Sequence, residues 1–404
     1  MRTSDGTLFL DAARPFDRTD DGGTRVRGQV SVSWGSDPAE IKADWLALEA
    51  GEPLPFSDYA WAEAWYGRLD RDGADMPVIV IGRGPHGEPY FILPFVLEQR
   101  GPFRVLLWPG GTHSGYQHGL FSDACRTHIK NVGAPVFWAR VWADLPDADA
   151  VAAYGVPETD VAEDHPLAHL PRFGCGCAGH RFALMPDWTA LYEAKCNAKM
   201  RRNDRRCERR LEEIGEVTFQ VARSADERRH LIDVMLEQKS AQLNEMGAPD
   251  FTAAPGIARF YHRLATSGEW GRGSEVFIAA LELDGDPVAV NLALIKDGCA
   301  HGMILSMTNG DVEKFGPGRL LLRRSLAHFC GIGLRSMDLG AGDDPYKMHW
   351  ADETVRRCDV IVPLTVRGRL FVLGLRTLFA AKARIKNTPV LWRLFSRYRR
   401  FLFC

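Results

Sequence analysis

The stretch Lys314-Phe315-Gly316-Pro317-Gly318-Arg319-Leu320-Leu321-Leu322 sets two glycines and a proline at the head of an apolar run with helical spacing. Residues without a Cβ at a helix start let backbone N–H groups approach a ligand closely, and the helix dipole favours an anion there. A diphosphate is the natural ligand of such a loop, with Phe315, Gly316, Pro317, Gly318, Arg319 and Leu320 as its candidate contacts. A helix start that needs glycine for geometry alone reads the same way. A second feature is Lys195–Arg210, with eight basic and two acidic residues. At helical spacing Lys195, Lys199, Arg202, Arg206 and Arg210 form one stripe, and Arg201, Arg205 and Arg209 form another. Solvated helix faces usually balance their charges, so an anion-facing role is expected, with Arg201, Arg202 and Arg205 as candidate acceptor contacts. Pairing with the acidic first half is the plainer alternative.

These groups need elements to hold them. Helical periodicity runs over Pro38–Glu49 and Ser57–Leu69, where Ser57 is the expected N-cap and Trp61 and Trp65 share one face, as core residues. PVIVIG (77–82) and PYFILPFVL (89–97) read as a hairpin, followed by strand-like FRVLLW (103–108). Long helices are expected over 188–214 and 225–246. Three strands, 275–283, 287–295 and 300–308, are joined by Asp284-Gly285 and Asp297-Gly298, the chemistry of tight antiparallel turns. The glycine loop then leads into a helix, Arg319–Cys330. A strand at 335–340, a short helical stretch at 345–352 and a strand at 358–366 follow. Gly87-Glu88-Pro89 and Gly285-Asp286-Pro287 stand in matching hairpins 198 residues apart, which suggests two similar α+β units.

The chain has 404 residues, 46% hydrophobic and 25% charged, with a formal net charge of −2. This is globular composition with room for two domains at roughly 150 residues each. The neutral total hides an asymmetry: residues 1–359 carry 40 basic and 52 acidic groups, whereas residues 360–404 carry 10 basic groups and no acidic one. The acidic balance of the first 359 counts against nucleic acid as a partner, tRNA included. Nine scattered cysteines, of which only Cys175 and Cys177 are close, match no common zinc spacing, so no metal is expected. The N-terminus lacks the apolar run of a signal peptide and no segment reaches a membrane-spanning length. The expected compartment is the cytoplasm, with residues 1–28 as a mobile tail.

The order of helices, three-stranded meander, G-x-G loop, helix and two further strands resembles the Gcn5-related N-acetyltransferase (GNAT) superfamily. The resemblance sharpens at Phe315–Leu322, at Asp338-Leu339-Gly340 and at Asp344-Pro345-Tyr346-Lys347-Met348-His349-Trp350. Together with Met200–Arg206 these segments are similar to the CelD/BcsL-like acetyltransferases of cellulose biosynthesis, relatives of the Fem-type peptidyltransferases. The likeness spans about residues 40–366 and is strongest over 195–352. It departs from the superfamily pattern at Glu313, three residues before the first glycine, where Gln or Arg is usual and a carboxylate repels a diphosphate.

The resemblance implies an α+β fold of two tandem acetyltransferase-like units, each a mixed, largely antiparallel sheet flanked by helices. It divides the chain into 29–187, an acyl-CoA-binding unit at 188–366, and basic amphipathic helices at 367–404. The implied reaction is acyl transfer, most simply acetyl, from acyl-CoA to an amino or hydroxyl group of a cell-surface polysaccharide precursor. The acceptor is a small molecule or a lipid- or nucleotide-linked sugar. Tyr346 and Lys347 correspond to an aromatic–lysine pair of the Fem-type enzymes. Lys347 would stabilise the oxyanion or hold an acceptor phosphate, and Tyr346 would protonate the leaving thiolate. Asp338, beside the Gly340-Ala341-Gly342 turn, is the first candidate base or acceptor-orienting group. His349 is the second, because its unperturbed pKa suits a base. Two other readings stand beside this one: a Fem-type transferase using aminoacyl-tRNA, and a non-catalytic accessory of a polysaccharide synthase.

At the C-terminus, Pro389–Phe403 sets Leu391, Leu394, Phe395, Tyr398 and Leu402 against Arg393, Arg397 and Arg400, and Leu370–Lys386 is a similar, longer segment. Residues 367–404 therefore suit either a peripheral contact with an anionic membrane surface or packing of the apolar stripe on the protein's own core.

Overall fold

The computed structural model describes residues 30–69, 75–158, 166–175, 177–271 and 273–388. The tail expected over 1–28 and the amphipathic helix expected over 389–403 lie outside the described residues. In chain order the strands of the first half are β1 (Ser31–Gly35), β2 (Met76–Arg83), β3 (Pro89–Arg100), β4 (Phe103–Leu107), the two-residue β5 (Leu120–Phe121), β6 (Ala150–Pro157) and β7 (Arg172–Gly174). The first half also holds β8 (Gly179–Ala183), and the second half has β9 (Val217–Val221), β10 (Ser274–Leu283), β11 (Asp286–Lys296), β12 (Cys299–Met307), β13 (Ser336–Ala341), β14 (Glu353–Val355) and β15 (Arg357–Pro363). The helices are α1 (Lys42–Glu49), α2 (Tyr59–Tyr66), α3 (Asp123–Val132), α4 (Ala134–Ala143), α5 (Trp188–Lys195), α6 (Ala198–Glu212), α7 (Ala225–Glu245), α8 (Ile257–Thr266), α9 (Pro317–Gly331), α10 (Pro345–Trp350) and α11 (Val366–Asn387).

Two mixed sheets result, so the fold is α+β. The first runs β1-β2-β3-β4-β6-β15-β7, with β5 beside β3, and the second runs β9-β10-β11-β12-β13-β8-β14. The orders correspond position by position. In each, the fourth and fifth strands are parallel, β4 with β6 and β12 with β13, and the other main-path pairs are antiparallel. The sixth position holds a strand from the opposite half: β15 enters the first sheet and β8 the second. The strand expected to finish the second unit thus finishes the first. Its Cys358, Val360 and Val362 pack in the first sheet's apolar cluster, which local pattern does not reveal.

Turn chemistry sets the register of both hairpins. At the β10–β11 turn Asp284 and Gly285 adopt φ of 54° and 88°, a pair that suits a tight right-twisted hairpin. A shared core lies between the sheets. Ile79, Ile81 and Ile92 of the first meet Ile278, Val290, Leu292 and Ile304 of the second, along with Trp61, Trp65 and Phe260. Trp61 and Trp65 are core residues, each with its ring 5.0 Å from that of Phe260. The expected helix over 188–214 is two helices: Cys196 is extended at φ −119°, and the Asn197 side chain caps the next start by accepting from Met200 N at 3.0 Å. Ser57 is not the cap of α2. Asp58 holds that place, and the Ser57 hydroxyl donates to His118 O at 2.6 Å. Among the described residues no helix is long and apolar enough to cross a membrane, and no group of three His, Cys, Asp or Glu is placed to hold a metal.

Candidate active site

β12 and β13 pair at Cys299–Ser336, Ala300–Met337 and His301–Asp338 and no further, although β12 continues to Met307. Two residues past the last pair, Gly340 takes a φ of 72°, and a Cβ there would stand 3.0 Å from Gly302 O. On the other edge the β11–β12 register skips Met303, a bulge of the kind that re-aims side chains beside functional sites. A cavity of about 240 Å³ lies where the strands part. Gly302, Met303, Ile304 and Leu305 line it from β12, Met337 and Leu339 from β13, and Leu322 from α9. Its polar groups are Lys239, Asn291, Asp344, Tyr346 and Lys347.

Tyr346 and Lys347 reach the cavity on α10, which starts at Pro345 and is anchored at its far end by buried Trp350, whose ring lies 5.5 Å from Phe182. Lys347 Nζ donates to Ala341 O at 2.6 Å and lies 3.6 Å from Asp344 Oδ2. Burial lowers the Lys347 pKa, with Asp344 pulling it back up. Desolvation, with the Asp344 carboxylate second, pushes the Tyr346 phenol up to about 12, so it is a proton donor at neutral pH. Sequence reasoning missed Lys239. Its neighbour Gln238 fixes α7 on the sheet by donating to Pro287 O at 2.9 Å and accepting from Ser306 Oγ at 2.8 Å. Burial lowers the Lys239 pKa as well, opposed by Asp344 and assisted by Lys347.

Asp338 and His349 do not line this cavity. Asp338 is 1% exposed. Its Oδ2 accepts from Tyr116 Oη at 2.8 Å and stands 3.6 Å from Arg181 Nη2, while its Oδ1 accepts from Gly340 N at 2.7 Å. His349 is exposed, with its Nε2 3.8 Å from Cys196 Sγ.

The glycine loop is a helix start with few donors to spare. Gly316 is left-handed (φ 65°, ψ 54°) and its N–H donates to Glu313 O at 2.8 Å. Pro317 has no N–H, and the N–H groups of Arg319 and Leu320 both go to Gly316 O at 3.1 Å. Gly318 keeps an N–H without a partner among the described residues, and a Cβ there would meet Met307 Sδ at 3.3 Å. The Arg319 guanidinium pairs with buried Asp204 of α6, Leu320 is core, and Phe315 packs on the same cluster. None of the six loop residues lines the cavity.

The arginines of α6 divide. Arg201 staples the end of α5, its Nη1 donating to Cys196 O at 2.8 Å. Arg202 and Arg205 are exposed and have no ion-pair partner among the described residues. The two acidic groups of the run face inward on α9: Asp204 holds Arg319 and lies 3.7 Å from Arg323, and Glu208 holds Arg324.

Comparison with known proteins agrees with this layout. A family model described as an acetyltransferase (GNAT) domain matches residues 198–348, which run from α6 through β12, the glycine loop and β13 to Met348 of α10. No curated protein matches the chain. Among solved structures, FemX is similar at 9% identity over 83% of this chain and 98% of its own, with a TM-score of 0.53. L-PGS from Bacillus licheniformis is similar at 12% identity, covering 84% of this chain and 96% of its own, TM-score 0.49. A tandem GNAT protein from the clavulanic acid biosynthesis pathway is similar at 13% identity, covering 83% and 98%, TM-score 0.45. At 9% identity the likeness to FemX is one of fold. Residues 198–348 match an acetyltransferase (GNAT) domain, and the enzyme class this match gives is acyltransferase.

Proposed function

We propose that the chain transfers an acyl group, most simply acetyl, from acyl-CoA to an amino or hydroxyl group of a lipid- or nucleotide-linked polysaccharide precursor, as a CelD/BcsL-like enzyme. The observation that carries this reading is the cavity between the parted β12 and β13, lined by Lys239, Asp344, Tyr346 and Lys347 inside the matched domain. The unpaired edge of β12 suits an extended amide-bearing arm, which can hydrogen-bond there as an added strand does. At the thioester carbonyl the Lys347 ammonium stabilises the developing oxyanion. Tyr346, which burial keeps protonated, gives its proton to the leaving thiolate. Asp344, the carboxylate among the lining residues, takes the acceptor's proton in place of Asp338, whose oxygens are both engaged. Lys239, with the exposed Arg202 and Arg205, suits an anionic acceptor. Calorimetric titration with acetyl-CoA is expected to show saturable binding, and no heat at millimolar ligand would remove the CoA-dependent reading. In Lys347→Ala, kcat/KM should fall about 10²–10³-fold with the fold intact. Turnover at the wild-type rate would remove Lys347 from the mechanism.

The glycine loop favours one second reading. Among the described residues Gly316, Arg319 and Leu320 spend their N–H groups inside the loop and Pro317 has none, with Glu313 close by, so the diphosphate cradle is thin, which suits a donor other than acyl-CoA, such as the aminoacyl-tRNA of Fem-type enzymes. Labelled transfer from charged tRNA, with none from acetyl-CoA, would decide for it. Turnover with neither donor would leave the accessory role.

A further inference from the structure

Helix α11 has two apolar faces, and the fold uses one. Gly368 and Val372 are buried and Phe371, Leu375 and Phe379 half-buried against Val105, Leu107, Ala150, Ala152 and Ile361 of the first sheet. The approach is close, because a Cβ on Gly368 would stand 1.8 Å from Asp149 O. On the opposite side Val366 is 75% exposed, Leu370 62% and Leu373 58%, and steps of four and three residues set them in one line. Arginines flank that line: Arg369 is exposed, Arg367 reaches Pro102 O, and Arg376 lies 4.8 Å over the Phe173 ring. From residue 360 to the C-terminus there are 10 basic residues and no acidic one. Three aliphatic side chains in water along a helix without a carboxylate form a face that suits a cover both apolar and anionic.

Two candidate covers fail on charge. Residues 389–404 bring Arg393, Arg397, Arg399 and Arg400 and no acidic group, so laying them on α11 sets cations against cations. A second copy packed helix to helix does the same through Arg369 and Arg376. An anionic lipid surface supplies the negative charge and the apolar layer together. We propose that the outward stripe of α11 docks the chain on an anionic membrane surface, with Val366, Leu370 and Leu373 entering the acyl boundary and the flanking arginines at headgroup level. The helix lies along the surface and does not cross it. This docking stands independently of the acyl-transfer reading.

The test is co-sedimentation of the full chain with phosphatidylcholine vesicles and with phosphatidylcholine–phosphatidylglycerol vesicles. Binding is expected to the anionic vesicles alone, weakening as salt rises. Because Leu370 and Leu373 are exposed, Leu370→Ser with Leu373→Ser should leave the circular dichroism spectrum and Tm unchanged and lower the vesicle partition coefficient about tenfold or more. Arg369→Glu should weaken binding to anionic vesicles, and deletion of 389–404 should leave dependence on the two leucines in place. The proposal is overturned if the wild-type chain stays in the supernatant with anionic vesicles or if the double variant binds undiminished. It is equally overturned if light scattering shows a dimer that the double variant dissociates, which would make a second copy the cover.

Discussion

In the proposed acyl transfer Lys347 is the residue on which the chemistry turns, and its protonation state separates two roles. An oxyanion stabiliser works as the ammonium, whereas a base works as the neutral amine. Burial lowers its pKa while Asp344, 3.6 Å away, restrains the fall. A lysine held below its ordinary value of about 10.4 loses its charge at a lower pH than a surface lysine does. If the ammonium is the working form, kcat/KM falls on the alkaline side, at a lower pH than an exposed lysine would give. A pH–rate profile checks the sign: a rate that climbs through the same range would assign the neutral amine and make Lys347 the base. Asp338 belongs to a different kind of residue. At 1% exposure, with Tyr116, Gly340 and Arg181 around its oxygens, it ties a segment of the first half to β13, and a reacting group cannot reach it without breaking those bonds.

At the scale of elements, α6 and α9 are clamped by the two acidic residues of the basic run. Asp204 is 4% exposed, holds Arg319, and accepts from Tyr192 Oη at 2.6 Å. The Arg319 side chain is 46% exposed and can turn to water, whereas the Tyr192 hydroxyl loses its buried acceptor, a cost of about 1–3 kcal/mol. Asp204→Ala should therefore lower stability by about that much in chemical denaturation, and an unchanged stability would show that the clamp is replaced by solvent. The sequence showed the basic excess but not its partition, since a stripe drawn on a helical wheel does not say which neighbour covers it. The meander and its Asp-Gly turns were legible because alternation and turn chemistry are local. The break at Cys196-Asn197 carries neither Gly nor Pro, and its one local sign is the capping asparagine. Lys239 had no local sign at all: α7 is set by the Gln238 bonds to β11 and β12, and these exist only once the sheet does. The glycines of 316–318 were visible, but their hydrogen bonds, which leave Gly318 N–H alone, follow from the Glu313–Phe315 turn before them.

At the scale of the molecule, the two halves share more than an apolar core. Lys296 of β11 pairs with Asp58 and donates to Glu49 O at 3.2 Å. Burial first, then repulsion from Asp58, raises the Glu49 pKa from 4.5 to about 7. A carboxyl that titrates higher in the folded than in the unfolded state gains protons on folding. Stability therefore rises as pH falls through about 7 and is complete below 4.5. His113 and His301, which burial lowers to about 4, oppose this trend below pH 6.5, so the difference from a variant isolates Glu49. Glu49→Gln should raise Tm at pH 8 more than at pH 5.5; an equal change at both would assign the pH dependence to other groups. The strand exchange makes a stronger demand. β15 pairs with β6 and β7, and β8 pairs with β13 and β14, so cutting the chain near residue 188 strips each sheet of its sixth strand. The first sheet then exposes the β6 edge and loses Cys358, Val360 and Val362 from its cluster; the second exposes β13, on which the cavity depends. An open apolar sheet edge aggregates rather than waiting for its partner. Residues 1–187 and 188–404 expressed apart should be insoluble or lack a cooperative transition, while the intact chain unfolds in one. Two independent transitions in calorimetry, or a soluble folded 188–404 fragment that binds acetyl-CoA, would show that the exchanged strands decorate the halves and do not lock them.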